Sequence, residues 1–267
     1  MDTYEIVIDN FDIGQIADSG QCFRMNRHPS KPNKYVLIAN NRYIEIEQKP
    51  NSNIVCFHGV SEQEFKSIWF DYFDLSTDYS KIIASIDKDD EYLQAAVNAG
   101  SGIRILHQNL WETMVSFIIS QNNNIPRIKS SIEKLCEICG TKKVAYGNEY
   151  YCFPTPEQLS IEENLKPARL GYRERYLLKL SNDVLSSNVV LTEIKTKEQL
   201  LKICGIGEKV ANCIMLFGLH DLTGFPIDVW IKRVIDLHYN GNFPIERYSG
   251  YAGVIQQYIF NYAIQNK

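Results

Sequence analysis

The segment Ile203–Cys213, ICGIGEKVANC, lies between the apolar periodicities of TKEQLL (Thr196–Leu201) and IMLFG (Ile214–Gly218), and its reading decides the fold. Thr196 stands as the N-cap of a first short helix, and Gly205-Ile206-Gly207 makes the turn into a second. Two apolar helices joined in this way form a helix-hairpin-helix over residues 196–217. Gly205 and Gly207 permit backbone conformations that other residues resist, and they leave their amides unobstructed. Free N–H groups at the start of the second helix can bind a DNA phosphate without reading sequence. Lys209, just past the glycines, has three readings: a phosphate contact, a solvated helix face, or an amine nucleophile.

The companion segment is FPIDVWIKRVI (Phe225–Ile235), which places Asp228 at the start of another helix. A Pro-x-Asp start invites N-capping. An aspartate there can also stabilise positive charge developing on a sugar and assist proton transfer. A lysine attacks only as the free amine, which burial or a neighbouring cation promotes and a nearby aspartate opposes. Helical hairpins also occur as non-catalytic DNA-binding modules, so the local pattern leaves Lys209 open between these roles.

Further out, the first sixty residues are β-rich. YEIVI (Tyr4–Ile8), YVLIANNRYIEIEQ (Tyr35–Gln48) and NIVCFHGV (Asn53–Val60) carry strand patterns, with Asn40-Asn41 where a hairpin turn falls. From Ser61 the period becomes helical, and Ser61 with Glu64 offers a capping box. NLWETMVSFIISQ (Asn109–Gln121) is an apolar helix stopped by the polar run QNNN. RIKSSIEKLCEICG (Arg127–Gly140) sets Ile128, Ile132, Leu135 and Cys139 on one face. Thr155, Pro156 and Gln158 start another helix, and SGYAGVIQQYIFNYAI (Ser249–Ile264) ends the pattern. The class is α+β: an N-terminal antiparallel sheet domain over residues 1–95, then a mostly helical region over residues 96–267 that carries the hairpin.

Composition sets the bounds. With 267 residues, 45% apolar and 22% charged, the chain is that of an ordinary globular protein. No run reaches the roughly 18 apolar residues of a membrane span, so no membrane partner is expected. Seven cysteines, an odd number, argue against a disulfide framework. MDTYEIVIDN lacks the features of a signal peptide, so a reducing bacterial or archaeal cytoplasm is expected and secretion is not. Cys136 and Cys139 have no second pair at zinc spacing and read as helix core. The net charge of −4 and pI near 5.8 lower the expectation of a nucleic-acid partner. Against this, Lys166, Arg169, Arg173, Arg175 and Lys179 face only Glu174, either as a solvated face or as a DNA contact.

GIGEKVANC with FPIDVWIKRV, together with SGQCFR, SFIISQNNNIPRI, LGYRERY and YAGVIQQYIF, resembles the 8-oxoguanine DNA glycosylase family of the helix-hairpin-helix plus Gly-Pro-Asp superfamily. The resemblance covers nearly the whole chain, with several motifs in the same order. It implies a bifunctional repair enzyme that flips 8-oxoguanine from duplex DNA, preferably opposite cytosine, and excises it. Lys209 would attack C1′, form a Schiff base and permit β-elimination; Asp228 would stabilise the oxocarbenium-like transition state. Gly20 would accept the N7–H that guanine lacks, through its carbonyl. Cys213 and Phe260 would sandwich the base, and Gln256 would bond its Watson–Crick edge.

On the opposite strand, the resemblance gives Asn122 the space left by the flipped base and Tyr172 the part of an aromatic wedge. Arg127 and Arg173 would read the widowed cytosine, whose N3 and O2 are acceptors suited to arginine's donors. Gly205 and Gly207 would contact phosphate, with damaged double-stranded DNA as partner and a monomer as the working unit. No cofactor or metal is required, although carbonyls at Leu201, Ile203 and Ile206 could hold a monovalent cation bridging to phosphate. Cys204 stands where the hairpin often has proline, and Trp230 where some members have a phosphate-contacting histidine. The four-cysteine iron–sulfur signature of the endonuclease III branch is absent, and the alkylation-repair branch lacks a lysine at position 209. The competing readings are a non-catalytic DNA-binding hairpin module and a glycosylase for another damaged purine.

Overall fold

The computed structural model describes residues 2–50 and 52–266. It opens with an antiparallel sheet of five strands: β1 (Thr3–Val7), β2 (Met25–Arg27), β3 (Lys34–Ala39), β4 (Arg42–Gln48) and β5 (Ile54–His58). Their order across the sheet is β1-β5-β4-β3-β2. β3 and β4 close on the pair Ala39 and Arg42. Asn40 and Asn41 between them have φ of 51° and 58°, the doubly positive turn that suits strand twist and that asparagine tolerates. Leu37, Ile44, Ile46, Val55 and Phe57 are buried in one cluster with Phe65, Trp69 and Phe73 from the following helical turns. Ser61 Oγ accepts the Glu64 N–H at 3.2 Å, but the capping box is not reciprocal. The Glu64 carboxylate instead meets Trp69 Nε1 and Arg42 Nη1, both at 3.3 Å.

A second core runs from Tyr79 to Ile259 and also takes in Phe23. Its centre is the helix Leu110–Ser120, buried from Thr113 to Ser120 and capped by Asn109. The hairpin's second helix, Glu208–Gly218, packs against it, with Phe117 and Phe217 stacked at 5.5 Å. The last helix, Ala252–Gln265, packs on Glu91–Gly100. Arg24, 2% exposed, ties the two halves together: it pairs with Glu133 at 2.9 Å and donates to the Tyr151 carbonyl at 2.8 Å.

The helical region departs from expectation at one place. Lys142–Ala145 and Asn148–Tyr151 form a two-stranded hairpin. It leans back onto the sheet domain, where Tyr146 Oη donates to the Gly59 carbonyl at 2.6 Å and Tyr150 Oη to the Asn41 carbonyl at 3.2 Å. All seven cysteines are free thiols; six are buried and Cys204 is exposed. Among the described residues no helix is long and apolar enough to cross a membrane.

Candidate active site and nucleic-acid face

The hairpin is built by local rules. Thr196 Oγ1 accepts the Gln199 N–H at 3.4 Å, and Gln199 Oε1 returns to the Thr196 N–H at 3.0 Å, a complete capping box. Gly205 has φ of +86°, and a Cβ there would lie 2.6 Å from Tyr176 Cγ, so the turn requires glycine twice over. Gly207 is the N-cap of Glu208–Gly218 and is exposed, with no side chain closing the helix's first N–H groups. Those groups are therefore presented to solvent, where an anion can approach. The Ile203 carbonyl in the same turn accepts the Ile206 N–H at 3.1 Å and keeps a second lone pair.

One turn inward, Lys209 reaches a small cavity. Gly20, Lys209, Cys213, Asp228, Gln256 and Phe260 all line it, from segments far apart in the chain. Lys209 Nζ lies 5.6 Å from the centre of the Phe117 ring and beside the Cys213 thiol. Burial pushes that thiol's pKa up, and Lys209 beside it partly offsets the shift. Asp228 caps its helix as expected: Oδ1 accepts the N–H groups of Trp230 and Ile231, both at 2.9 Å. Exposed Ile227 and Val229 flank it. Gln256 is buried, and its Nε2 donates to the Pro226 carbonyl at 3.0 Å.

Gly20 has φ of +76°, and a Cβ added there would meet Phe260 Cε1 at 3.2 Å. Among the described residues no donor is bonded to the Gly20 carbonyl. The cavity is small, about 40 Å³. A purine cannot enter it as it stands. Phe260 packs against Gly20 along one wall of the slot.

A surface cluster sits beside the hairpin. Asn122, in the left-handed region at φ 48°, donates Nδ2 to Tyr172 Oη at 3.1 Å, and both residues are exposed. Gln121 Nε2 donates to the Gly205 carbonyl at 3.0 Å, fastening the QNNN loop to the hairpin. Arg127 is exposed one turn into the next helix, Ile125–Cys139, which Asn124 caps.

Arg173 is turned inward. It is 8% exposed, and its guanidinium donates to the carbonyls of Gln121, Asn122 and Leu170 rather than lying free for a base. It also lies 4.6 Å from the centre of the Tyr172 ring, so in this state it braces the loop and wedge. The rest of the basic cluster is mixed. Lys166 and Lys179 pair with Glu162 and Asp183, while Arg169 and Arg175 are exposed.

The cavity also draws on residues that sequence reasoning passed over: Ser19, Phe117, Phe217, Pro226 and Gln257. The two phenylalanines read as helix core, and nothing local marks them. Gln257 adjoins Gln256 and was hidden by it. Cys136 and Cys139 are buried on the apolar face of Ile125–Cys139.

Residues 4–114 match the family model for the N-terminal domain of 8-oxoguanine DNA glycosylase. Over 158 residues, 52% of this chain, the sequence is 37% identical to an N-glycosylase/DNA lyase of Saccharomyces cerevisiae. That match spans 42% of the yeast protein's length. The Clostridium acetobutylicum 8-oxoguanine glycosylase/lyase in its apo-form is 34% identical, superposing with a TM-score of 0.90 over 98% of this chain and 96% of that one. The same protein bound to double-stranded DNA with cytosine opposite 8-oxoguanine is 33% identical over 100% of this chain and 98% of that one, with a TM-score of 0.89. Sequence motifs, fold and likeness over nearly the full length agree, and the chain belongs to the 8-oxoguanine DNA glycosylase family.

Proposed function

We propose that the protein is a bifunctional DNA repair glycosylase and abasic-site lyase that removes 8-oxoguanine, preferably from opposite cytosine. One observation carries the reading: a single cavity gathers an amine, a carboxylate, a backbone carbonyl, a thiol, an amide and an aromatic ring from four separate segments. A non-catalytic hairpin module has no use for such a pocket.

The duplex docks its backbone on the open amides at Gly207, and Asn122 with Tyr172 enters the space that the flipped nucleotide leaves. Withdrawal of Phe260 from Gly20 admits the base between Cys213 and the ring. The Gly20 carbonyl accepts the N7–H of 8-oxoguanine and would face a lone pair of guanine instead, a difference of about 1–3 kcal/mol for a buried group. Lys209 Nζ forms its bond to C1′ as the C1′–N9 bond breaks, and the base leaves with the electron pair. The Asp228 carboxylate opposes the positive charge on the sugar during that step. The C1′–O4′ bond of this N,O-acetal then breaks, O4′ takes up a proton and a Schiff base forms, and loss of a C2′ proton expels the 3′ phosphate by β-elimination.

No cofactor enters these steps. A monovalent cation at the carbonyls of Leu201, Ile203 and Ile206, bridging to phosphate, fits the reading as an aid to docking. The free thiols suit a reducing compartment such as a bacterial or archaeal cytosol, and the protein acts as a monomer. Arg127 reads the widowed cytosine. Arg173 joins it once the loop carbonyls release its guanidinium.

Borohydride reduction on duplex DNA containing 8-oxoguanine tests the mechanism. Wild type is expected to give a covalent protein–DNA adduct and Lys209→Gln none. Equal trapping by the two proteins, or no base release by wild type, refutes it.

A further inference from the structure

One residue that lines the cavity beside Lys209 carries a polar atom that the steps above leave unused. Gln257 lines it and is 3% exposed. Its Nε2 donates to Gln256 Oε1 at 2.9 Å, yet its own Oε1 is buried with no hydrogen-bond partner among the described residues. A buried amide oxygen without a donor is costly, and native structures keep few of them.

The remaining capacity can be counted. A primary amide offers two N–H donors and two lone pairs on oxygen. Gln256 uses one N–H on the Pro226 carbonyl and one lone pair on Gln257, leaving one of each. Gln257 adds an oxygen with both lone pairs open. The pair thus presents a donor, an acceptor and a further acceptor. The Watson–Crick edge of a 6-oxo-2-aminopurine presents the complement in order: O6 accepts, N1–H donates and the 2-amino group donates. An adenine-type edge, with a donor at C6, an acceptor at N1 and no donor at C2, leaves the Gln257 oxygen unmatched.

Resting on the glycosylase reading, we propose that Gln257 is a second specificity-determining residue whose Oε1 accepts from the 2-amino group of the flipped base. Its Nε2 has a positioning part as well, because the bond to Gln256 Oε1 fixes which end of the Gln256 amide is oxygen. The two side chains then read one edge as a unit, Gln256 at O6 and N1–H and Gln257 at the amine. The other unpartnered groups on this helix are Tyr258 Oη, buried in the helical core, and Asn261 Nδ2, whose residue lines a different cleft near the sheet domain. A water held between Gln257 and Asn261 is the competing explanation, and it predicts no effect on base choice.

The test compares single-turnover base release from duplexes carrying 8-oxoguanine or 8-oxohypoxanthine, which differ only in the 2-amino group. Wild type is expected to favour 8-oxoguanine by roughly tenfold to hundredfold, as for one buried hydrogen bond. In Gln257→Met, of similar length and without an acceptor oxygen, the preference should fall to about threefold or less, the change expected when the bond is gone. Gln257→Ala gives the same readout should the larger side chain upset folding. A wild-type ratio near one overturns the proposal without any variant. So does an unchanged ratio in a folded Gln257 variant, including one that melts earlier, as the buried-water explanation predicts. Collapse of the ratio in Gln256→Met but not in Gln257→Met also overturns it, by assigning the amine to Gln256. Wild type that releases no 8-oxoguanine defeats the glycosylase reading itself, a separate outcome.

Discussion

Replacing Asp228 separates two roles that one carboxylate combines. Its Oδ1 accepts the N–H groups of Trp230 and Ile231 at 2.9 Å, and its charge faces the cavity that Lys209 lines. Asparagine keeps an oxygen in the same place, whereas alanine keeps none. Asparagine caps about as well as aspartate, while loss of the cap costs about 0.5–2 kcal/mol. The negative charge at a helix N-terminus adds about 0.3–1 kcal/mol more. Asp228→Asn loses only the second contribution and Asp228→Ala loses both. At about 2–4 °C per kcal/mol for a chain of this size, the asparagine variant should melt within about 4 °C of wild type. The alanine variant should melt a further few degrees lower.

Base release should follow a different order. Neither variant supplies a carboxylate to the charged sugar, so both should lose about a hundredfold to a thousandfold in single-turnover rate. Affinity for duplex DNA carrying a non-cleavable abasic analogue, read by fluorescence anisotropy, should change little. Melting would then rank wild type, asparagine, alanine, while rates would set wild type apart from two equally poor variants. An asparagine variant that turns over at the wild-type rate refutes the electrostatic role. One that melts as low as alanine refutes the capping geometry.

Arg127→Ala should relax the preference for cytosine opposite the lesion by about tenfold, the worth of one good base contact, as read by excision opposite each of the four bases. Retained cytosine selectivity would count against that assignment. Gly205→Ala forces a left-handed φ of +86° on a side chain that meets the Tyr176 ring at 2.6 Å. It should lower stability by about 1 kcal/mol or more and weaken duplex binding, and wild-type values in melting and anisotropy would contradict the turn geometry. Glu112, on the helix capped by Asn109, has its carboxyl pushed up to about 7 by desolvation; Arg24 opposes the shift and Glu133 adds to it. The folded state therefore holds this proton more tightly than the unfolded state. Its contribution to stability is full at acid pH and declines as pH rises through about 7. Glu112→Gln should thus raise the melting temperature at pH 8 more than at pH 5, and equal shifts at both values would refute the argument.

Features written in short stretches were legible in the sequence. The Asn-Asn turn, the Thr155 capping box, the Thr196 cap, the Asp228 cap and the glycine turn each follow from a few adjacent residues, and each is formed as read. β2 has three residues, too few for a period to register. The hairpin at Lys142–Tyr151 was hidden by its exposed lysines, since it is held by tyrosine hydroxyls on distant carbonyls rather than by an apolar face. The inward turn of the Arg173 guanidinium is not legible, because sequence shows a cation but not the carbonyls that it meets. The orphan oxygen of Gln257 is invisible in sequence for the same reason: it arises from side-chain packing and not from any short run of residues.

On the proposed function, the narrow slot between Gly20 and Phe260 bears on how damage is found among a great excess of intact nucleotides. Opening it imposes the same threshold on every base that is turned out of the stack, so lodging must be repaid by bonds formed inside. A base that makes one bond fewer is returned to the helix sooner, even if it fits equally well. Selectivity then takes the form of dwell time, and the protein can sample an intact sequence quickly while pausing at a lesion.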